Sequence, residues 1–154
     1  MKPSGIRWGL VVFGLVLAAC SSNPPINATG TWLDLTAKTR PLNKADCPED
    51  PINTGELRFS LNQSGSNVSG TVRAYTPGQP AAYGDVTAQI RQDGTINGNM
   101  VFSSQSGNSV ISIAFEGRIQ STYFIGKTIS PLTSQCPSNQ NMVSVYLEWN
   151  AQKQ

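Results

Sequence analysis

Few side chains in this chain have the means to do chemistry, and the most versatile one is missing. No His occurs among the 154 residues. That removes imidazole metal ligands, the usual proton shuttle and every triad built on a His base. Three Cys are present, Cys20, Cys47 and Cys136. A Cys nucleophile needs a neighbouring base to hold it as thiolate, and no imidazole is there to serve. Zinc and copper lack a ligand set for the same reason. Asp46, Glu49 and Asp50 stand together. Three carboxylates can hold Ca²⁺ weakly, but EF-hand spacing is absent, and the cluster reads as a solvated loop. No Gly-rich stretch opens a helix, so no phosphate loop is expected. These residue types point to a protein that binds without catalysing and needs neither cofactor nor metal.

Charge narrows the partners. The chain has 11 Lys and Arg against 9 Asp and Glu. Lys2 and Arg7 lie in the leading segment, so the remainder carries no net formal charge. A polyanion such as nucleic acid is therefore not an expected partner.

The leading segment reads as an address. Lys2 and Arg7 are followed by an apolar run from Trp8 to Ala19, shorter than the roughly 20 residues of a spanning helix. It ends in Leu17-Ala18-Ala19-Cys20, which resembles the lipobox of bacterial lipoproteins. The resemblance implies that the Cys20 thiol receives a diacylglyceryl group, that the chain is cut before it, and that the new amine takes a further acyl chain such as palmitate. Residues 1–19 would then be a signal peptide and residues 20–29, with Pro24-Pro25 inside, a lipidated tether. The membrane would be a partner through those acyl chains, in the cell membrane or the outer membrane, with the domain exposed to periplasm or cell surface. Ser21 fits a sorting preference for the outer membrane. The alternative is an ordinary secretory signal that happens to end at a Cys.

With Cys20 assigned to lipid, Cys47 and Cys136 remain. Both precede Pro in loop-like surroundings, and an exported compartment permits a disulfide between them. Two free thiols are the alternative.

From Gly30 onward apolar and polar residues alternate, broken by Gly, Asn, Pro and Ser, and helical spacing is not sustained anywhere. Eight strands are expected near Gly30–Ala37, Glu56–Gln63, Asn67–Tyr75, Tyr83–Arg91, Thr95–Ser104, Ser109–Glu116, Arg118–Ile129 and Met142–Asn150. Gly turns at Gly65 and Gly94 open the third and fifth, and a looser copy at Gly117 is read as opening the seventh. In an up-and-down order the short turns share one end and the long loops the other. Cys47 and Cys136 then fall in loops that adjoin only if the first and last strands are neighbours.

The expected fold class is thus all-β, an eight-stranded antiparallel up-and-down β-barrel over residues 30–150, with a β-sandwich as alternative. Gly30-Thr31-Trp32 at the head of the first strand resembles the Gly-x-Trp of lipocalins, and the architecture resembles the lipocalin and avidin-like barrels. The resemblance implies that Trp32 plugs the closed end and that the interior holds a small apolar ligand. The chain is shorter than a lipocalin and lacks a visible helix after its last strand. Trp32, Leu35, Phe59, Val72, Met100, Phe102, Phe115, Tyr123 and Trp149 are the candidate ligand-lining residues, within an inward list that also holds Leu33, Ile111 and Ile125. All acids and bases are expected outside or in loops. An interior filled by its own side chains is equally compatible with this list. Apolar residues facing lipid, as in an outer-membrane barrel, fit poorly with an aromatic content of 8%. The expected function is a non-enzymatic, lipid-anchored envelope protein that binds a small apolar ligand in or at the mouth of its barrel. The alternative is a protein-interaction module, either a hydrolase inhibitor or an accessory subunit of an envelope complex.

Overall fold

The computed structural model describes residues 26–103 and 110–154. The leader, Cys20, the first part of the tether and the fifth connection lie outside the described residues. Among the described residues there are nine strands: β1 Gly30–Pro41, β2 Asn53–Ser64, β3 Asn67–Tyr75, β4 Ala82–Ile90, β5 Thr95–Ser103, β6 Val110–Gln120, β7 Tyr123–Thr128, β8 Leu132–Gln135 and β9 Met142–Lys153. Neighbours from β1 to β7 pair in order, β7 pairs with β9, and β9 pairs back onto β1. All pairs are antiparallel, so the sheet is a closed eight-stranded barrel with one short extra strand.

That extra strand is a continuation. Val145 of β9 faces Pro41 of β1 on one flank and Leu132 of β8 on the other. Further along, the flank opposite β1 belongs to β7, where Lys127 faces Glu148. Hence β8 prolongs β7 after an irregular step through Ser130 and Pro131. Pro131 lacks the N–H a continuous ladder would need.

Closure works because one face of each strand is apolar. Leu57, Phe59 and Leu61 of β2 are buried, as are Val86, Ala88 and Ile90 of β4, while the residues between them face out. Gly65 and Gly94 sit at positive φ in the tight turns before β3 and β5, as their sequence signals require. The loop after β1 and the loop between β8 and β9 meet at the opposite end, where Cys47 and Cys136 form a disulfide with Cα atoms 5.6 Å apart. The disulfide and the closed meander are therefore both present.

Three expectations need correction. Gly117 does not open a strand. It lies in the middle of β6, paired with Ile96 and Gly126, and the turn falls at Ser121-Thr122 instead. Moving the turn shifts strand parity by one, and a one-residue slip exchanges the two faces. Phe124, Gly126 and Thr128 thus point inward, whereas Tyr123 (41% exposed) and Ile125 (49% exposed) point out. In β1 Trp32 faces Phe59 and Asp34 faces Leu57, so simple alternation leaves Leu35 outside at 65% exposure, and the register shift between Asp34 and Ala37 then brings Ala37 inward. Asp34 is buried in its place, contrary to the expectation that every acid faces water. Ile111, at the start of β6, keeps an inward position but is exposed at the mouth.

Candidate functional site

The residues read as lining a ligand space divide into three groups. Trp32, Phe59, Val72, Met100, Phe115 and Trp149 are buried, Phe102 is half-buried toward the mouth, and Leu35 and Tyr123 lie on the outside. The buried group packs on itself. Phe124, absent from the sequence reading, is the hub: its ring centroid lies 5.0 Å from Phe59, 5.5 Å from Trp149 and 6.3 Å from both Trp32 and Phe115. Tilted and edge-on pairs of this kind each add about 0.5–1.5 kcal/mol beyond the area they bury. Three apolar residues in a row, Tyr123-Phe124-Ile125, leave the inward one undecided by alternation alone.

Trp32 closes the short-turn end. Its indole N–H donates to the Ala28 carbonyl at 2.8 Å, and the Ala28 N–H donates to Gln63 Oε1 at 2.7 Å. The entering chain is thereby strapped across the barrel floor beneath Trp32. The indole N–H of Trp149, by contrast, is buried without an acceptor among the described residues.

At the mouth, Cys47, Cys136, Ile52, Val143 and Val145 form a second small core against Leu132. Glu49 Oε2 lies 3.1 Å from Cys47 Sγ, 3.2 Å from Cys136 Sγ and 3.1 Å from the Ser138 hydroxyl, which donates to it. The acidic trio does not converge on a cation. Asp50 is engaged by Lys44 at 2.8 Å and by Arg40, and Arg40 also reaches Glu148 across the barrel seam. Hydrogen bonds from Lys44 and then Arg40 hold the Asp50 carboxyl below the usual Asp range. Glu49 serves the disulfide, and the Asp46 carbonyl accepts from Asn139. Cys47, Glu49 and Cys136 are close enough to share a metal ion, but their sulfurs are bonded to each other.

Asp34 is a buried side chain of the barrel seam that sequence reading missed. Oδ1 accepts from the Thr36 N–H at 2.7 Å and the Thr36 hydroxyl at 3.1 Å, and Oδ2 accepts from the Asn150 N–H at 2.7 Å. Between Leu33–Gln152 and Lys38–Glu148 the β1–β9 ladder is interrupted, and the carboxylate supplies the acceptor that the ladder would have given. An Asp two residues before Thr inside a strand is the available signal, because such a pair favours a local turn over a ladder.

Two grooves mark the outer wall. One, of about 690 Å³, crosses β5, β6, β7, β9 and β1 and includes Asp34, Lys38, Asn97, Glu116, Arg118, Lys127, Glu148 and Asn150. The other, of about 380 Å³, crosses β2 to β5. There Arg58 faces Arg73 and Arg73 faces Tyr83 across the ladders. Like charges opposite one another repel, and Glu56 relieves this pair, at 2.8 Å from Arg73 and 3.8 Å from Arg58. Arg73 also lies over the Tyr75 ring, 5.6 Å from its centroid. Compared with protein-family models, with curated proteins and with solved structures, the chain matches none of them at a significant level.

Proposed function

We propose that this protein is a non-enzymatic binding module, tied to a bacterial cell envelope by lipid on Cys20, which engages a protein partner with the outside of its barrel. The observation that carries the reading is the occupied interior. Trp32, Phe59, Phe115, Phe124 and Trp149 fill one another's space from the strapped floor to mid-barrel, which leaves the outer wall and the mouth as recognition surfaces. The wall offers suitable chemistry: Arg58, Arg73, Tyr75 and Tyr83 lie side by side, and Tyr and Arg are the residue types that anchor protein interfaces. A disulfide suits an oxidising, exported compartment. The lipobox resemblance supports the anchor.

A small apolar ligand at the mouth is the second reading, favoured by one observation. Ile111 and Phe102 face each other across β5 and β6 at the open end, and Ile111 is 56% exposed although it points inward. Native mass spectrometry and pull-down on the mature protein after mild extraction separate the two. A mass matching protein alone, with a partner captured by wild type and lost in Arg73→Ala plus Tyr83→Ala, supports the first. A co-purifying apolar molecule supports the second. Cys20→Ala is expected to move the protein from the membrane to the soluble fraction, and retention on the membrane overturns the anchor.

A further inference from the structure

We propose that the dithiol form of the mouth, with Cys47 and Cys136 unbridged, is a zinc site whose ligands are the two thiolates and the Glu49 carboxylate. The inference is independent of the protein-partner reading, which uses the outer wall.

Three ligand atoms converge there. Cys47 Sγ, Cys136 Sγ and a Glu49 carboxylate oxygen all lie within 4.8 Å of one another. Topology sets this convergence: Cys47 and Glu49 sit in the loop after β1, Cys136 follows β8, and closure of β1 on β9 brings those segments together. Both sulfurs are buried against Ile52, Val143 and Val145, so one side of the cluster is dry.

The carboxylate points to a cation. Glu49 Oε2 rests 3.1 and 3.2 Å from the two sulfurs. A bridged sulfur has no proton to donate, so in the disulfide these contacts set oxygen lone pairs against sulfur lone pairs. Among the described residues the Ser138 hydroxyl is the one side-chain donor to Glu49, and no Lys or Arg pairs with it, because Arg40 and Lys44 are engaged by Asp50. A half-buried anion that faces two sulfurs and lacks a cation is completed by a divalent metal once those sulfurs are thiolates.

The donor set selects the ion. Two thiolates and one carboxylate suit Zn²⁺, which takes sulfur and oxygen ligands in a tetrahedron, whereas Mg²⁺ and Ca²⁺ want oxygen throughout and Cu(I) wants soft sulfur. Zn–S bonds of about 2.3 Å place tetrahedral sulfurs roughly 3.8 Å apart. Cα atoms 5.6 Å apart allow that separation once the bridge is open, by rotation about the Cα–Cβ bonds. Ser138 Oγ, 3.4 Å from Cys136 Sγ, borders the fourth position, which is left to water.

Every new chain passes through the dithiol, since cysteines are made as thiols and joined afterwards. Zn²⁺ binding releases the two thiol protons. A disulfide oxidant ends the metal-bound state. Each thiolate sulfur gives up one electron and the two join, the S–S bond of the oxidant takes both electrons and two protons to become two thiols, and Zn²⁺ leaves with its charge unchanged. The mouth thus has two alternative closures, a metal and a covalent bond.

The test uses the full chain with Cys20→Ala in mild detergent, reduced with a phosphine that is then removed, so that Cys47 and Cys136 are its two thiols. Co²⁺ is the spectroscopic probe and Zn²⁺ the competitor. The expected result is one Co²⁺ per chain, with the near-ultraviolet sulfur-to-cobalt band and the intense visible bands of tetrahedral geometry, all removed by Zn²⁺. The bridged protein should show neither. Glu49→Gln is expected to weaken binding about tenfold or more, whereas Asp46→Asn, exposed in the same loop, should bind as wild type. Bound Zn²⁺ should also slow re-formation of the bridge by glutathione disulfide. If the dithiol chain does not hold its fold, Zn²⁺ is expected to restore the near-ultraviolet circular dichroism of the bridged protein. The proposal is overturned if the dithiol chain gives no sulfur-to-cobalt band, if Glu49→Gln loses no more affinity than Asp46→Asn, or if an unfolded dithiol chain stays unfolded with Zn²⁺.

Discussion

Asp34 has the role of a backbone carbonyl. Its oxygens take three hydrogen bonds that the bulged ladder between β1 and β9 cannot supply. Asp34→Ala removes the acceptor from the half-buried Thr36 and Asn150 N–H groups and is expected to lower stability by roughly 1–2 kcal/mol, read as a drop in the urea midpoint, while Asp34→Asn should lose less. No change in Asp34→Ala would mean that the seam is held by other contacts. Glu49 acts on the disulfide by its position. A carboxylate 3.1 and 3.2 Å from the two sulfurs repels an incoming thiolate and disfavours the thiolate that must leave. Glu49→Gln is therefore expected to be reduced several-fold faster by dithiothreitol, an effect on the order of 1 kcal/mol, and added salt should narrow the gap. Equal rates at low salt would dismiss the idea. Asp50 gives the mouth an acid limit. Its carboxyl is held below the ordinary value of 3.8, so its contribution is complete above that value and is lost as pH falls through the lowered one. Thermal melts of Asp50→Asn should show a shallower loss of stability between neutral and acid pH than wild type. A parallel decline would assign the acid sensitivity elsewhere.

At the level of strands, legibility depended on how cleanly the pattern alternates. β2, β4 and the inward face of β9 alternate without interruption, and their inward residues are the ones the sequence names. β7 was misread because Tyr123, Phe124 and Ile125 are all apolar and because Gly117 resembles a turn. Gly117 is instead a packing residue, as is Gly126. A side chain at Gly126 would overlap the Trp149 ring, and one at Gly117 would overlap the Ile125 carbonyl. Neither demand can be read locally, since each is made by a residue on the neighbouring strand. The Leu35 error has a similar origin: Trp32 and Leu33 are both apolar, and only the partners on β2 decide that Trp32, and with it Asp34, takes the inward parity and leaves Leu35 outside. Gly126→Val is accordingly expected to destabilise by about 1–3 kcal/mol through overpacking, with loss of the near-ultraviolet signal of Trp149. Gly65→Val at the open turn should leave that signal in place despite its unfavourable φ.

For the molecule as a whole, closure and cross-link are two independent ties between the same ends of the chain. The β1–β9 ladder joins Trp32 to Lys153 and Pro41 to Val145, and the disulfide joins residues 89 apart in sequence. The sequence reading reached both through one inference, since loops carrying Cys47 and Cys136 meet only if the first and last strands are neighbours. The site was less legible, because a groove made from five strands has no local signature. The two ties act on different states. The ladder exists only in the folded protein, whereas the cross-link also confines the unfolded chain and removes entropy from it, worth roughly 4–5 kcal/mol for a loop of this length. Cys47→Ser with Cys136→Ser should therefore keep the β-sheet circular dichroism and the Trp32 environment at 25 °C, yet unfold at a markedly lower urea concentration. Its unfolded state, no longer confined, should expose more surface and give a steeper urea dependence. If the double variant is instead unfolded in buffer, the ladder alone cannot close the barrel and the disulfide is a condition of the fold. If midpoint and slope both match wild type, the reduced chain is confined by residual structure, and the entropic account fails.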